Sequence, residues 1–194
     1  MRALKTLAVA GLLASSLAQA APIFNDDFDA NGLGLNAVPT GWSVSGGTVD
    51  IIGSPSFYDL IPGSGRYIDL DGSTGSAGLL STSFSLAAGT TYLAEFDLAG
   101  NFRNSDAESV TVNFGTASLT ASLPIETGWT AYALYFTPSA SGSYSLSFQN
   151  AGGDNVGMLL DNVSIAAVPE PGTLAMLLSG FGMIGLIARR RSRA

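Results

Sequence analysis

Apolar residues in the middle of this chain recur at every second position, which is the spacing of β-strands. Leu80, Thr82, Phe84 and Leu86 share one face, and Tyr92, Ala94, Phe96 and Leu98 share another, with Glu95 and Asp97 opposite them. Val110, Val112 and Phe114 repeat the pattern, as do Tyr132, Leu134 and Phe136, and then Tyr144, Leu146 and Phe148. A period of two places alternate side chains on opposite faces of a pleated strand, whereas an amphipathic helix needs 3.6. No stretch of the body holds a helical stripe for three turns. Gly and Ser punctuate the segments, and no internal repeat is visible. The expectation is an all-β sandwich of antiparallel strands rather than a propeller or a β-helix.

Both ends of the 194-residue chain read as processing signals. Met1, Arg2 and Lys5 form a positive region, Thr6 to Ala18 is apolar, and Ala18-Gln19-Ala20 is an A-x-A cleavage site. These are the parts of a secretory signal peptide over residues 1–20, handled by the Sec machinery and signal peptidase. Residues 21–167 then form one secreted domain, long enough to bury a core of its own. Residues 168–194 hold Pro169-Glu170-Pro171, an apolar run over 173–188, and Arg189, Arg190, Arg191 and Arg193. As a helix that run would span ~24 Å, short of the ~30 Å hydrocarbon core. The arginines would stay cytoplasmic and hold the body outside the inner membrane. Pro169 and Pro171 keep the segment before the run extended, as a processing protease requires.

The inventory excludes several activities. Of fifteen Asp and Glu, all but Glu170 lie in the body, which keeps only Arg66 and Arg103 as basic residues. A body charge of 2 − 14 = −12 opposes nucleic acid and favours divalent cations. With no Cys and no His, zinc enzymes, Ser-His-Asp hydrolases and Cys-His proteases are ruled out.

The order Pro-Glu-Pro, weak span, Arg cluster resembles the PEP-CTERM sorting signal of Gram-negative bacteria, a tail also labelled ice-binding protein C-terminal domain. The resemblance implies recognition by an exosortase, a membrane protease and transpeptidase, and association with exopolysaccharide. The body lacks a regular Thr array of the sort ice binding would need. Within the body, Asn25-Asp26-Asp27-Phe28-Asp29, Gly41-Trp42, Ala88-Gly89-Thr90-Thr91-Tyr92, Gly128-Trp129 and Leu160-Asp161-Asn162-Val163 follow in order. That order resembles the jelly-roll β-sandwich of carbohydrate-binding modules. The resemblance implies a structural calcium where the first and last strands meet, although Asp26 and Asn162 depart from the usual motif.

Asp161 shares strand parity with Leu159, Val163 and Ile165 and is expected to point inward. A buried carboxylate needs a cation or hydrogen-bond donors. Calcium held by Asp27, Asp29 and Asp161, and a hydrogen-bonded turn at Asp161, both meet that need. Asp69-x-Asp71-Gly72 reads as a turn. Trp42 and Trp129, each following Gly at a strand start, are expected in the core. Phe57-Tyr58 and Phe102-Arg103 fall in loops and are the candidate platform for stacking a sugar. Glu95 and Asp97, on one strand face, make no glycosidase pair. The expected function is therefore a non-catalytic envelope or matrix protein that binds carbohydrate through the sandwich. A structural or adhesive matrix protein without a specific ligand is the alternative, with a glycosidase a distant third.

Overall fold

Each alternating segment of the sequence is a strand. The computed structural model describes residues 21–55, 58–103, 108–169, 179–182, 184 and 189. Among them the strands are β1 (Pro22–Asp26), β2 (Ser43–Ser45), β3 (Asp50–Gly53), β4 (Arg66–Asp69), β5 (Leu79–Leu86) and β6 (Tyr92–Ala99). They continue as β7 (Glu108–Phe114), β8 (Ala117–Leu123), β9 (Thr130–Phe136), β10 (Gly142–Asn150) and β11 (Leu159–Ala167). One sheet has the order β3-β4-β11-β6-β9, with β1 also on β11, and the other has the order β2-β5-β10-β7-β8. All these strand pairs are antiparallel. The architecture is the expected antiparallel jelly-roll sandwich.

The inner faces carry the residues that the alternation selects. Phe96 of β6 meets Phe148 of β10 edge-on across the sandwich, with centroids 5.1 Å apart at 85°. Leu98, Val110, Val112, Phe114, Leu146 and Leu160 are fully buried around them. Trp42 lies in this core at 8% exposure, as expected, and its indole N–H donates to Asp26 Oδ2 at 2.8 Å. Burying a tryptophan requires such a partner for its one donor. The β7–β8 hairpin turns on Gly115, whose φ of +57° suits a glycine at a tight turn. A Cβ there would stand 2.3 Å from the Phe136 ring.

β11 departs from its sequence pattern. Its pairing with β6 runs Leu159↔Ala99, Leu160↔Leu98 and Asp161↔Asp97, then resumes at Ser164↔Glu95. Three steps on β11 therefore face two on β6, which is a β-bulge, and Asn162 takes φ +52° there. One inserted residue exchanges the two faces of a strand. Leu160 packs in the main core before the bulge, and Val163 and Ile165 pack there after it. Leu159 belongs instead to a smaller cluster with Ile52, Tyr67 and Ala99. Asp161, two residues on, shares that outer face. It does not point into the sandwich with Val163 and Ile165, because the bulge lies between them.

The same edge of β11 is shared by two strands placed end to end. β4 pairs with Leu159 and Leu160, and β1 with Val163 to Ala166. Asp161 and Asn162 lie in the gap, where the chain leaves β1 through Asp27 and Asp29. The expected signal peptide over residues 1–20 lies outside the described residues. Of the expected helix over 173–188, residues 179–182 and 184 are helical and the others lie outside the description. Among the described residues no helix is long and apolar enough to cross a membrane.

Candidate functional site

The outer face of the β3-β4-β11-β6-β9 sheet is partly roofed by the loop between β3 and β4. Tyr67 holds that loop down. Its hydroxyl accepts the N–H groups of Leu60 at 2.6 Å and Ile61 at 3.0 Å and donates to Asp59 at 3.2 Å. Burial pushes this phenol up to about 12, so it stays a neutral donor. Leu60, Ile61, Phe102 and Trp129 pack on the outer cluster. Among the described residues, two hollows open on this face.

The larger is a depression of about 470 Å³ lined by Asp27, Asp29, Gly63, Ser64, Gly65, Trp129, Asp161 and Asn162. Asp29 is built in: its Oδ1 accepts Arg66 N–H at 2.7 Å. Gly65, at φ +73°, lets it approach, since a Cβ there would lie 2.1 Å from that oxygen. Asp27 Oδ1 accepts Asp29 N–H at 3.2 Å. Asp161 is only 4% exposed, and its Oδ1 accepts Asn162 N–H at 2.7 Å. Its cross-strand neighbour Asp97 accepts the Asn162 amide at 3.0 Å. Burial pushes the Asp161 carboxyl up to about 7, and the charges of Asp29, Asp97 and Asp27 add to the rise. Trp129 is half-buried on the outer face rather than in the sandwich core where it was expected. Its indole N–H donates to Ser64 Oγ at 2.8 Å, and its ring meets Tyr67 edge-on at 5.5 Å.

The smaller hollow, about 90 Å³, is lined by Leu35, Asp50, Ile52, Tyr58, Leu60, Asp69, Ser73, Arg103 and Asn155. Arg103 pairs with the buried Asp69. Asp69 Oδ1 also accepts the N–H groups of Asp71 and Gly157, both at 3.1 Å. Burial nevertheless pushes Asp69 up to about 7. Asp50 accepts Asn36 N–H at 2.7 Å and the Ser73 hydroxyl at 2.6 Å. Asp69 ends β4 and the chain bends at Leu70 and Asp71, and both carboxylates are buried.

The structure thus gathers Asp27, Asp29 and Asp161 at one depression, and Tyr58 with Arg103 at the other hollow. Among the described residues, no three acidic side chains are close enough together to hold a metal ion. Phe102 is half-buried in the outer cluster. Phe57 lies outside the described residues, as do Glu170, Pro171, Arg190, Arg191 and Arg193; Pro169 is half-buried and Arg189 is helical and exposed. Sequence reasoning missed Asn162, Ser64 and Asp50 as lining groups. Only the Gly-rich run Gly63-Ser64-Gly65 hinted at a close backbone approach.

Comparison with known proteins places these features. A family model described as "Protein of unknown function (DUF642)" matches residues 25–166, and one described as "PEP-CTERM protein-sorting motif" matches residues 167–192. No curated protein matches the chain. Among solved structures, the CBM22-1 xylan-binding domain from Paenibacillus barcinonensis Xyn10C is similar, with TM-score 0.54 and 15% identity. The match covers 78% of this chain and 97% of that one. The C-terminal family 22 carbohydrate binding module of Clostridium thermocellum Xyn10B is similar too, with TM-score 0.54 and 12% identity over 76% of this chain and 94% of that one. At these identities the likeness establishes the carbohydrate-binding-module type of fold. The tail is a PEP-CTERM sorting motif, which indicates an exported protein sorted to the envelope.

Proposed function

The chain belongs to the DUF642 family, described only as proteins of unknown function, and on that premise we propose that it is a non-catalytic carbohydrate-binding protein of the bacterial envelope or extracellular matrix. An exosortase acting at Pro169-Glu170-Pro171 would process it, with the exopolysaccharide outside the cell as its ligand class. The observation that carries the binding reading is the depression on the outer face of the β3-β4-β11-β6-β9 sheet. There the Trp129 indole, the carboxylates of Asp27, Asp29 and Asp161 and the amide of Asn162 border one open hollow. A pyranose presents apolar C–H faces that suit an aromatic ring and hydroxyls that suit carboxylate and amide groups.

Two features support a binding role rather than catalysis. Asp161 and Asp97 are cross-strand neighbours joined through Asn162, not carboxyls on opposite sides of a scissile bond. The chain also has no His or Cys to serve as base or nucleophile. The xylan-binding domains of similar fold show that such a sandwich can host a polysaccharide site. Affinity electrophoresis of protein from the envelope fraction, through gels containing the host's exopolysaccharide or xylan, tests the reading. Retardation that Trp129→Ala weakens by about tenfold or more supports it. Unretarded migration in every glycan would leave the structural or adhesive matrix role.

A further inference from the structure

Beside the smaller hollow but not lining it, one carboxylate is buried without a full set of partners. Asp71 follows β4 and is 0% exposed. Its Oδ2 accepts Gly153 N–H at 2.9 Å from the loop between β10 and β11. Its Oδ1 is buried and meets no donor among the described residues. Leaving a buried charged oxygen unpaired is costly.

Two more carboxylates lie on neighbouring segments, one on the strand bonded to Asn150 and one next to Gly153. Glu108 opens β7, and Asp154 sits on the covering loop. Burial pushes the Glu108 carboxyl up, and the charges of Asp154 and Asp71 push it further. The nearest basic group, Arg103, is paired with Asp69, and its pull on Glu108 is weaker than the push of either acid. Asn150 donates to Glu108 Oε2 at 3.2 Å and holds it in position. Glycines bring the covering loop's backbone close: a Cβ on Gly157 would lie 2.4 Å from Asp71 N, and one on Gly152 would lie 3.3 Å from Asp71 Oδ2. The result is an unsatisfied carboxylate oxygen in a neighbourhood of net negative charge, and the chain has no thiolate or imidazole.

We propose that the site between the β4–β5 and β10–β11 loops binds one divalent cation, calcium by its oxygen-only chemistry, through Asp71 Oδ1 with Glu108 and Asp154 beside it. Three acidic side chains do not converge on a single point here. Carbonyls and water therefore complete the six to eight oxygens that calcium takes. The ion ties the loop after β4 to the loop before β11, the two segments that bring Asp69 and Asn155 to the smaller hollow. This site is separate from the Asp27, Asp29 and Asp161 depression and does not depend on the carbohydrate reading.

The test is equilibrium dialysis of the full chain in detergent against calcium chloride, with melting curves in calcium and in EDTA. The expectation is one ion per chain, with Kd in the ~10⁻⁴–10⁻³ M range of extracellular sites, and a melting midpoint raised by calcium. Asp71→Asn removes the ion, Glu108→Gln weakens it by about tenfold, and Asp161→Asn leaves it bound. If Asp71→Asn does not fold, Glu108→Gln carries the test. Calcium lost from Asp161→Asn and kept by the other variants overturns the proposal and moves the metal to the depression. No calcium bound at millimolar concentration, with the Glu108→Gln midpoint equally insensitive to the ion, also overturns it and leaves a water-filled polar pocket.

Discussion

Replacing Asp161 by Asn should stabilise the protein, and more so at high pH. In the folded chain the Asp161 carboxyl is pushed from its ordinary value near 3.8 to about 7, first by burial and then by Asp29, Asp97 and Asp27. Folding therefore holds a proton that the unfolded chain releases once the pH passes about 4. Stability falls as pH rises from there to about 7, and is flat above it. Carried through at ~1.4 kcal/mol per tenfold change in proton affinity, that difference amounts to about 4 kcal/mol above pH 7. One side of the depression is open to solvent, so about 2–4 kcal/mol is expected. Asn keeps the shape and still accepts the Asn162 N–H, but carries no charge. Urea unfolding in EDTA should show the full gain at pH 8 and about a third of it at pH 5. Asp69, also pushed up to about 7, leaves the variant a slope of its own. An equal gain at both pH values, or a loss at pH 8, would refute the argument that charge repulsion and burial dominate at this bulge.

In a host with the processing enzyme, mass spectrometry of the envelope fraction should find the chain ending near Pro169-Glu170-Pro171; protein that all retains Arg189 would instead be anchored by its tail. Gly157→Ala should cost about 1–3 kcal/mol, read from urea unfolding, because the new methyl would press on Asp71 N and Asp69 Oδ1. Trp42→Ala should cost about 3–5 kcal/mol, since it empties core volume and frees Asp26 Oδ2 of its donor. Trp129→Ala, at a half-buried position on the outer face, should cost clearly less in the same assay.

Gly-Trp occurs twice in this chain, and the two copies have different fates. Trp42 enters the space between the sheets, while Trp129 packs on Tyr67 outside them. The local sequence is the same kind of strand start in both places. Which side of a sheet an indole covers depends on the loop opposite, and that loop, pinned by the Tyr67 hydroxyl, comes from a different part of the chain. Asp69 and Asp71 show the same limit. Their spacing reads as a turn, but Asp69 ends β4 and only Leu70 and Asp71 bend, and the loop between β10 and β11 meets both carboxylates. Tyr58 and Arg103 were each legible as loop residues next to an aromatic. Their meeting at one hollow required β3, β4, β11 and β6 to lie side by side.

What the sequence alone determined was periodicity and address. Alternation at period two needs only neighbouring residues to declare itself, so the strands of Leu80 to Phe148 and their inward faces could be read directly. The PEP-CTERM sorting motif of the tail is a linear segment, so it too is written in order along the chain. The site was decided by tertiary structure. A single inserted residue at Asn162 reverses the face of β11, and nothing local to Leu159-Leu160-Asp161-Asn162-Val163 marks where the insertion falls. At the bulge β11 pairs with β6 on one edge while β4 and β1 meet end to end on the other. That three-way pairing puts Asp161 outside the sandwich, facing Asp27, Asp29 and Trp129.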